Sequence, residues 1–192
     1  LMIHMENPLI GILIAATFTG LIQSSSATTG IVIVMASQGF ITLPAGIALA
    51  FGANIGTCVT AMLASIGKPR EAVRAATVHV LFNVAGVVLW FMFIPQLAQL
   101  VTWLSPSHPE LSGVDRLGAE TPRQIANAHT IFNVANTLIF IGLSTQFARL
   151  VERLIPDRPI EEEGLVVTAK YLEPELLSTP ALALDRVRME VL

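Results

Sequence analysis

No Asp, Glu, Lys or Arg occurs from Asn7 through Gly67, from Ala75 through Pro109, or from Gln124 through Ala148. Uninterrupted charge-free runs of this kind are what a bilayer imposes, since a crossing helix needs about 20 mainly apolar residues. A soluble core needs no such runs. The chain is 53% hydrophobic and 13% charged, against roughly 25% charged residues in soluble domains. The expectation is an all-α polytopic membrane protein. The net charge of -3 gathers its acidic excess late in the chain, as at Glu161-Glu162-Glu163, and no basic stripe invites nucleic acid. The single cysteine, Cys58, excludes an internal disulfide framework and reads as a small buried residue. The first apolar run lacks the basic flank of a signal peptide and outlasts a signal's apolar core. The chain opens on Leu1 and ends at Leu192 within a helical pattern, so a longer parent protein is expected.

Polar residues divide the first window. Pro8 to Ile22 and Ala27 to Ala36 flank Gln23-Ser24-Ser25-Ser26, and fifteen helical residues reach only about 22 Å, short of a hydrocarbon core of about 30 Å. Two short arms around a polar tip predict a re-entrant hairpin over residues 8–38, tolerated where its broken backbone faces protein or water. Leu43 to Ile66 is long enough to cross, and Gly52-Ala53-Asn54-Ile55-Gly56-Thr57 predicts a break in its middle. Further spans are expected over 72–104, with a kink at Pro95, and over 123–150, with a polar loop from Ser105 to Pro122 between them. Residues 1–155 form the transmembrane part on this reading, and 156–192 a polar linker with turn signals at Tyr171-Leu172-Glu173-Pro174 and Ser178-Thr179-Pro180. A helix is expected from Leu182 to Leu192. Lys68, Arg70 and Arg74 lie at one membrane face and Arg149, Arg153 and Arg158 beyond the last span. Positive-inside puts both groups, and the carboxyl-terminal tail, in the cytoplasm. Finally, His79-Val80-Leu81-Phe82-Asn83-Val84-Ala85 is echoed 50 residues later by His129-Thr130-Ile131-Phe132-Asn133-Val134-Ala135. Such repetition signals architecture.

Gln23-Ser24-Ser25-Ser26-Ala27-Thr28-Thr29 gathers an amide and five hydroxyls where apolar residues are cheaper to bury. A hard monovalent cation is held by neutral oxygens, which a helix break supplies from side chains and freed carbonyls. The following arm opens with N–H groups that receive an anion. The bland alternative is that these hydroxyls bond neighbouring helices. Asn54, Thr57 and Thr60 repeat at i, i+3 and make one helical stripe; a Gly and Thr face more often serves packing. The pairs His79/Asn83 and His129/Asn133 are spaced for proton relay or metal binding, although hydrogen-bonded ties between helices are the commoner use.

In order and spacing, the Gln-Ser-Ser-Ser tip and Gly52 to Thr57 resemble the type II sodium/phosphate cotransporter family, with the later His-x-x-Phe-Asn pair and Tyr171-Leu172-Glu173-Pro174 resembling its bacterial branch. The resemblance implies one half of an inverted-repeat transporter: a re-entrant hairpin, a broken helix over 43–66 and a PhoU-like domain beginning in the tail. It implies sodium-coupled phosphate transport across the cell membrane, with Na+ as the co-transported ion and no cofactor or transition metal. Sodium would sit on Gln23, Ser24, Ser25, Thr57 and Thr60, and phosphate near Ser24, Ser25, Ser26 and Asn54. Only one such tip is present, so the symmetry-related repeat would supply the other half of the site, and Ala53 stands where animal members can carry Ser. Rival readings are a phosphate-sensing membrane subunit without transport, a sodium symporter of another small anion, and a serine hydrolase. The last has little support, because no Gly-x-Ser-x-Gly elbow occurs and neither histidine has a carboxylate in its window.

Overall fold

The computed structural model describes residues 7–157 and 180–191. Two compact units comprise residues 1–156 and 157–192. The first holds α1 (Pro8–Ile22), α2 (Ser25–Ser37), α3 (Leu43–Ala64), α4 (Arg70–Phe91), α5 (Ile94–Leu104), α6 (Gly113–Ile141) and α7 (Ser144–Leu154), and the second holds α8 (Pro180–Val191). All regular structure among the described residues is helical. The turn signal at Tyr171 to Pro174 lies outside them.

Local chemistry sets the hairpin. Asn7 caps α1 by accepting from the Leu9 N–H, with Pro8 next to it, as the missing proline donor favours. α1 stops at Gln23, in the left-handed region with φ 54°, whose N–H returns to the Thr19 carbonyl. Ser24 then caps α2 by accepting from the Ala27 N–H at 3.2 Å. The tip is therefore two residues wide, narrower than the four-residue motif suggests, because a serine at the cap starts the next helix at once.

α3 corrects an expectation. It runs unbroken for 22 residues through Gly52 and Gly56. Glycine costs a helix about 1 kcal/mol relative to alanine, but here both glycines admit a neighbouring backbone. A Cβ at Gly52 would strike the Ile12 carbonyl, and one at Gly56 would lie 2.5 Å from the Ala16 carbonyl and 2.5 Å from the Thr19 Cβ. Gly20 faces Val59 in turn, so α1 runs parallel to α3 with almost no side chain between them. The polar groups of the stretch turn inward on their own helix: Asn54 Nδ2 donates to the Ala50 carbonyl and Thr57 Oγ1 to that of Ala53.

The later spans also differ from expectation. The chain breaks at Met92-Phe93 instead of kinking at Pro95, which occupies the first turn of α5, where its missing N–H costs nothing. The connecting loop is short, because α6 already starts at Gly113 and carries Pro122 inside it. A proline read as a stop is tolerated there as an interior residue. Glu120 helps anchor this stretch by accepting from the His108 N–H and from Arg116 Nε. The expected span over 123–150 ends at Ile141, and α7 departs from α6 at 78°. Its sequence explains the turn: Arg149, Glu152 and Arg153 are exposed while Val151 is buried, a pattern that suits an interface rather than hydrocarbon.

α3 and α4 are each long and apolar enough to cross a membrane, and the bent α6–α7 pair is a third candidate. Ile12, Ile47, Phe51, Leu97, Val101 and Phe132 centre one core cluster, while Ala15, Val32, Ala36, Leu49 and Ile125 form another. Large apolar residues such as Leu21, Ile66, Val88 and Leu138 remain exposed, as lipid contact requires of a multi-pass protein.

Candidate functional site

The site is the α1–α2 tip with the face of α3 that continues beneath it. A helix leaves its first N–H groups without intrahelical acceptors. Here Ser24 takes the N–H groups of Ala27 and Thr28, which leaves those of Ser25 and Ser26 uncommitted. Ser24 and Ser25 are half-buried, and Gln23 and Ser26 are exposed. Beneath the tip, Thr19 and Thr28 share a buried hydrogen bond of 2.7 Å that ties the two arms together. Thr28 also donates to the Ser24 carbonyl, so Thr19 is the donor in that bond. Thr29, the last residue of the same polar run, has its Oγ1 buried without a partner.

Leu49 of α3 packs in one cluster with Val32 and Ala36 of α2. Helical periodicity carries that face through Ala53, Thr57 and Thr60. Gly56 meets Thr19, which bonds Thr28, so Thr57 comes level with the Thr19–Thr28 pair beneath the tip, and Thr60 follows one turn nearer the tip. The Thr57 hydroxyl donates to the Ala53 carbonyl at 2.9 Å, so its oxygen keeps its acceptor capacity.

Asn54 looks elsewhere. Its Oδ1 lies 3.4 Å from His129 Nε2 on α6, and its Nδ2 donates to the Ala50 carbonyl. The structure thus turns Asn54 toward the adjoining seam, while Thr57 and Thr60 lie on the α3 face that continues toward the tip. The two His/Asn pairs behave alike on their own helices: Asn83 Nδ2 donates to the His79 carbonyl and Asn133 Nδ2 to that of His129. Cys58 is buried, with Sγ 3.8 Å from the His79 carbonyl. Among the described residues, neither histidine bonds a tip serine. Nor do they contain a group of three or more His, Cys, Asp or Glu able to hold a metal.

No charged side chain belongs to the hairpin or to α3. The local field comes from helix ends, the positive start of α2 beside the negative close of α1. Such a place accepts an anion and a cation side by side, each offsetting the other.

The model of the family described as Na+/Pi-cotransporter matches residues 1–105. Among curated relatives, the uncharacterized protein YqeW of Bacillus subtilis (strain 168) is 38% identical over 95 residues, covering 50% of this chain and 31% of YqeW. Sodium-dependent phosphate transport protein 2C of Rattus norvegicus is 39% identical over 87 residues, 43% of this chain and 14% of the rat protein. Sodium-dependent phosphate transport protein 2B of Homo sapiens is 40% identical over 91 residues, 44% and 13% of the two chains. The matched stretch thus spans less than a third of these relatives. No solved structure matches the chain.

Proposed function

The chain belongs to the Na+/Pi-cotransporter family, and from that premise we propose that it forms one half of the ion and substrate path of a sodium-coupled phosphate symporter in the cell membrane. The carrying observation is the capped start of α2, with the Ser25 and Ser26 N–H groups uncommitted, on a hairpin that packs against α3 and, like α3, has no charged side chain. Phosphate is received by the N–H and hydroxyl groups of Ser24, Ser25 and Ser26. Sodium is held by neutral oxygens of Gln23, Ser24, Ser25, Thr57 and Thr60, the donor type a hard cation selects. Asn54 contributes to the anion side only through its second amide hydrogen, since its other polar contacts are engaged.

Coupling follows from the missing charge. With no Lys or Arg on the hairpin or α3, bound phosphate is offset by sodium and by helix ends, so each ligand raises the other's affinity by the same factor. A symmetry-related repeat supplies the remaining ligands, and rocking of one bundle against the other exposes the site to each side in turn. The membrane orientation is that of the basic residues, with Lys68, Arg70, Arg74 and the carboxyl-terminal tail in the cytoplasm. The test is uptake of labelled phosphate by proteoliposomes containing the full-length protein. Uptake that rises with an inward sodium gradient, and that sulfate and small carboxylates compete for poorly, is the expected result. Absence of sodium-driven flux from a well-folded protein would leave the sensing role instead.

A further inference from the structure

From Arg123 to Ile141, a rise of about 1.5 Å per residue carries α6 through about 27 Å, most of a hydrocarbon core of about 30 Å. Just beyond that point α7 leaves α6 at 78°. A span that runs near the membrane normal thus delivers a helix lying almost in the membrane plane. Both ends of α7 are held. At the elbow the Leu143 N–H bonds the Phe140 carbonyl at 2.9 Å, and Phe140 meets Phe147 edge-on with ring centroids 5.5 Å apart. At the far end Arg74 Nε of α4 donates to the Ile155 carbonyl at 3.0 Å, and α7 packs along α4 between these ties.

The sequence divides the surface of α7 into distinct sides. At about 100° per residue, Phe147, Val151 and Ile155 fall along one flank, where each is buried or half-buried. Phe147 lines a cavity with Val78 and Phe82 of α4, so this flank is the one turned to α4. Leu143, Leu150 and Leu154 fall along the next side, where they are 41%, 45% and 60% exposed. Arg149 and Arg153 follow beyond the leucines, one turn apart, and Thr145 and Glu152 lie opposite the leucine stripe.

This arrangement fixes how the helix can sit. Exposed leucines are stable at the acyl boundary, and long cationic side chains reach from there to the headgroups. With the leucines down and α4 on one flank, the arginine flank faces outward along the membrane surface and Glu152 faces away from the bilayer. Both arginines are exposed, and among the described residues neither makes an ion pair, although Glu152 adjoins Arg153 in sequence. Two guanidinium groups one turn apart at headgroup height match phosphodiester oxygens, which they can engage in bidentate fashion. A zwitterionic lipid offers the same phosphodiester beside its own ammonium, so headgroups of net negative charge are preferred.

We propose that α7 is an interfacial helix that binds anionic phospholipid, with Leu143, Leu150 and Leu154 at the acyl boundary and Arg149 and Arg153 on the headgroup phosphates. This surface depends on α6 crossing the membrane and on nothing that is carried through it. Its failure would leave the symport reading standing, and failure of sodium-driven uptake would leave this surface standing.

An environment-sensitive fluorophore on single cysteines tests the proposal in the full-length protein, with Cys58→Ser and any other native cysteine replaced, reconstituted in lipid vesicles. Leu150→Cys and Thr145→Cys carry the probe on opposite sides of α7. A nitroxide placed just below the lipid headgroup is expected to quench the Leu150 probe strongly and the Thr145 probe weakly. Equal quenching at the two positions, or none at Leu150, overturns the proposal, because the stripe then faces water or protein. Lipid preference is the second measurement. With the nitroxide on phosphatidylglycerol or on phosphatidylcholine at equal mole fraction, the anionic lipid is expected to associate with the Leu150 probe about fivefold more strongly. Arg149→Gln combined with Arg153→Gln should bring that ratio to about one, while Glu152→Gln does not lower it. The contrast in depth between Leu150 and Thr145 is expected to persist in the double variant, which separates lost selectivity from a lost fold. A ratio near one in the parent protein, or a ratio unchanged by the double substitution, overturns the assignment of the arginines.

Discussion

Gln23 is, among the described residues, the one non-glycine with positive φ, a conformation that costs an ordinary L-residue about 1–2 kcal/mol. Strain of this kind persists where a side chain is needed. Gln23→Gly should therefore keep or raise the thermal midpoint of the detergent-solubilised protein while lowering apparent sodium affinity in uptake assays. Unchanged sodium affinity would make Gln23 a turn residue and nothing more. Thr57→Ala removes a neutral oxygen without touching the N–H groups of α2. Phosphate affinity should then drop mainly at low sodium and recover as sodium is raised, within a coupling of about 1–3 kcal/mol; Ser25→Ala should recover only in part. Equal phosphate affinity at all sodium levels in Thr57→Ala would mark that residue as packing. The polar clusters were legible because each interrupts a long apolar run. The heading of Asn54 toward His129 was not, since it depends on the neighbour that α6 places beside α3.

At the scale of elements, glycine was the ambiguous letter. Gly52 and Gly56 suit a broken helix or a close backbone contact equally well in a sequence, and only the arrival of α1 decides between them. Gly56→Ala, which puts a Cβ 2.5 Å from the Ala16 carbonyl, should cost about 1–3 kcal/mol through overpacking. Gly30→Ala, on α2 with no atom within 4 Å of its added Cβ, should gain about 0.5–1 kcal/mol from helix propensity. Thermal or denaturant unfolding of the two variants checks the contrast, and equal stabilities would refute the close seam. The hairpin arms were legible from Asn7, Pro8 and the serine cap. Pro122 misled because a proline that ends one helix sits within another, and the bend at Gly142-Leu143 was hidden in a continuous apolar-to-amphipathic stretch.

For the whole molecule, membrane character was plain from three charge-free windows, and the basic residues carry the expected orientation. Arg74 Nε donates to the Ile155 carbonyl at 3.0 Å, so the start of α4 and the end of α7 lie at one membrane face. Impermeant thiol reagents should accordingly reach Ser107→Cys from outside and Lys68→Cys only from inside; the reverse labelling would invert the topology. The seam of α1 on α3 limits how such a machine can move. Surfaces joined through glycines against carbonyls mesh like the teeth of a rack, and the smallest slip that restores the mesh is one helical turn, about 5.4 Å. Smaller strokes have no home position there. On the transport reading proposed above, the tip and the threonines beneath it should travel as a single carriage, with opening along the seams where side chains, and not backbones, meet.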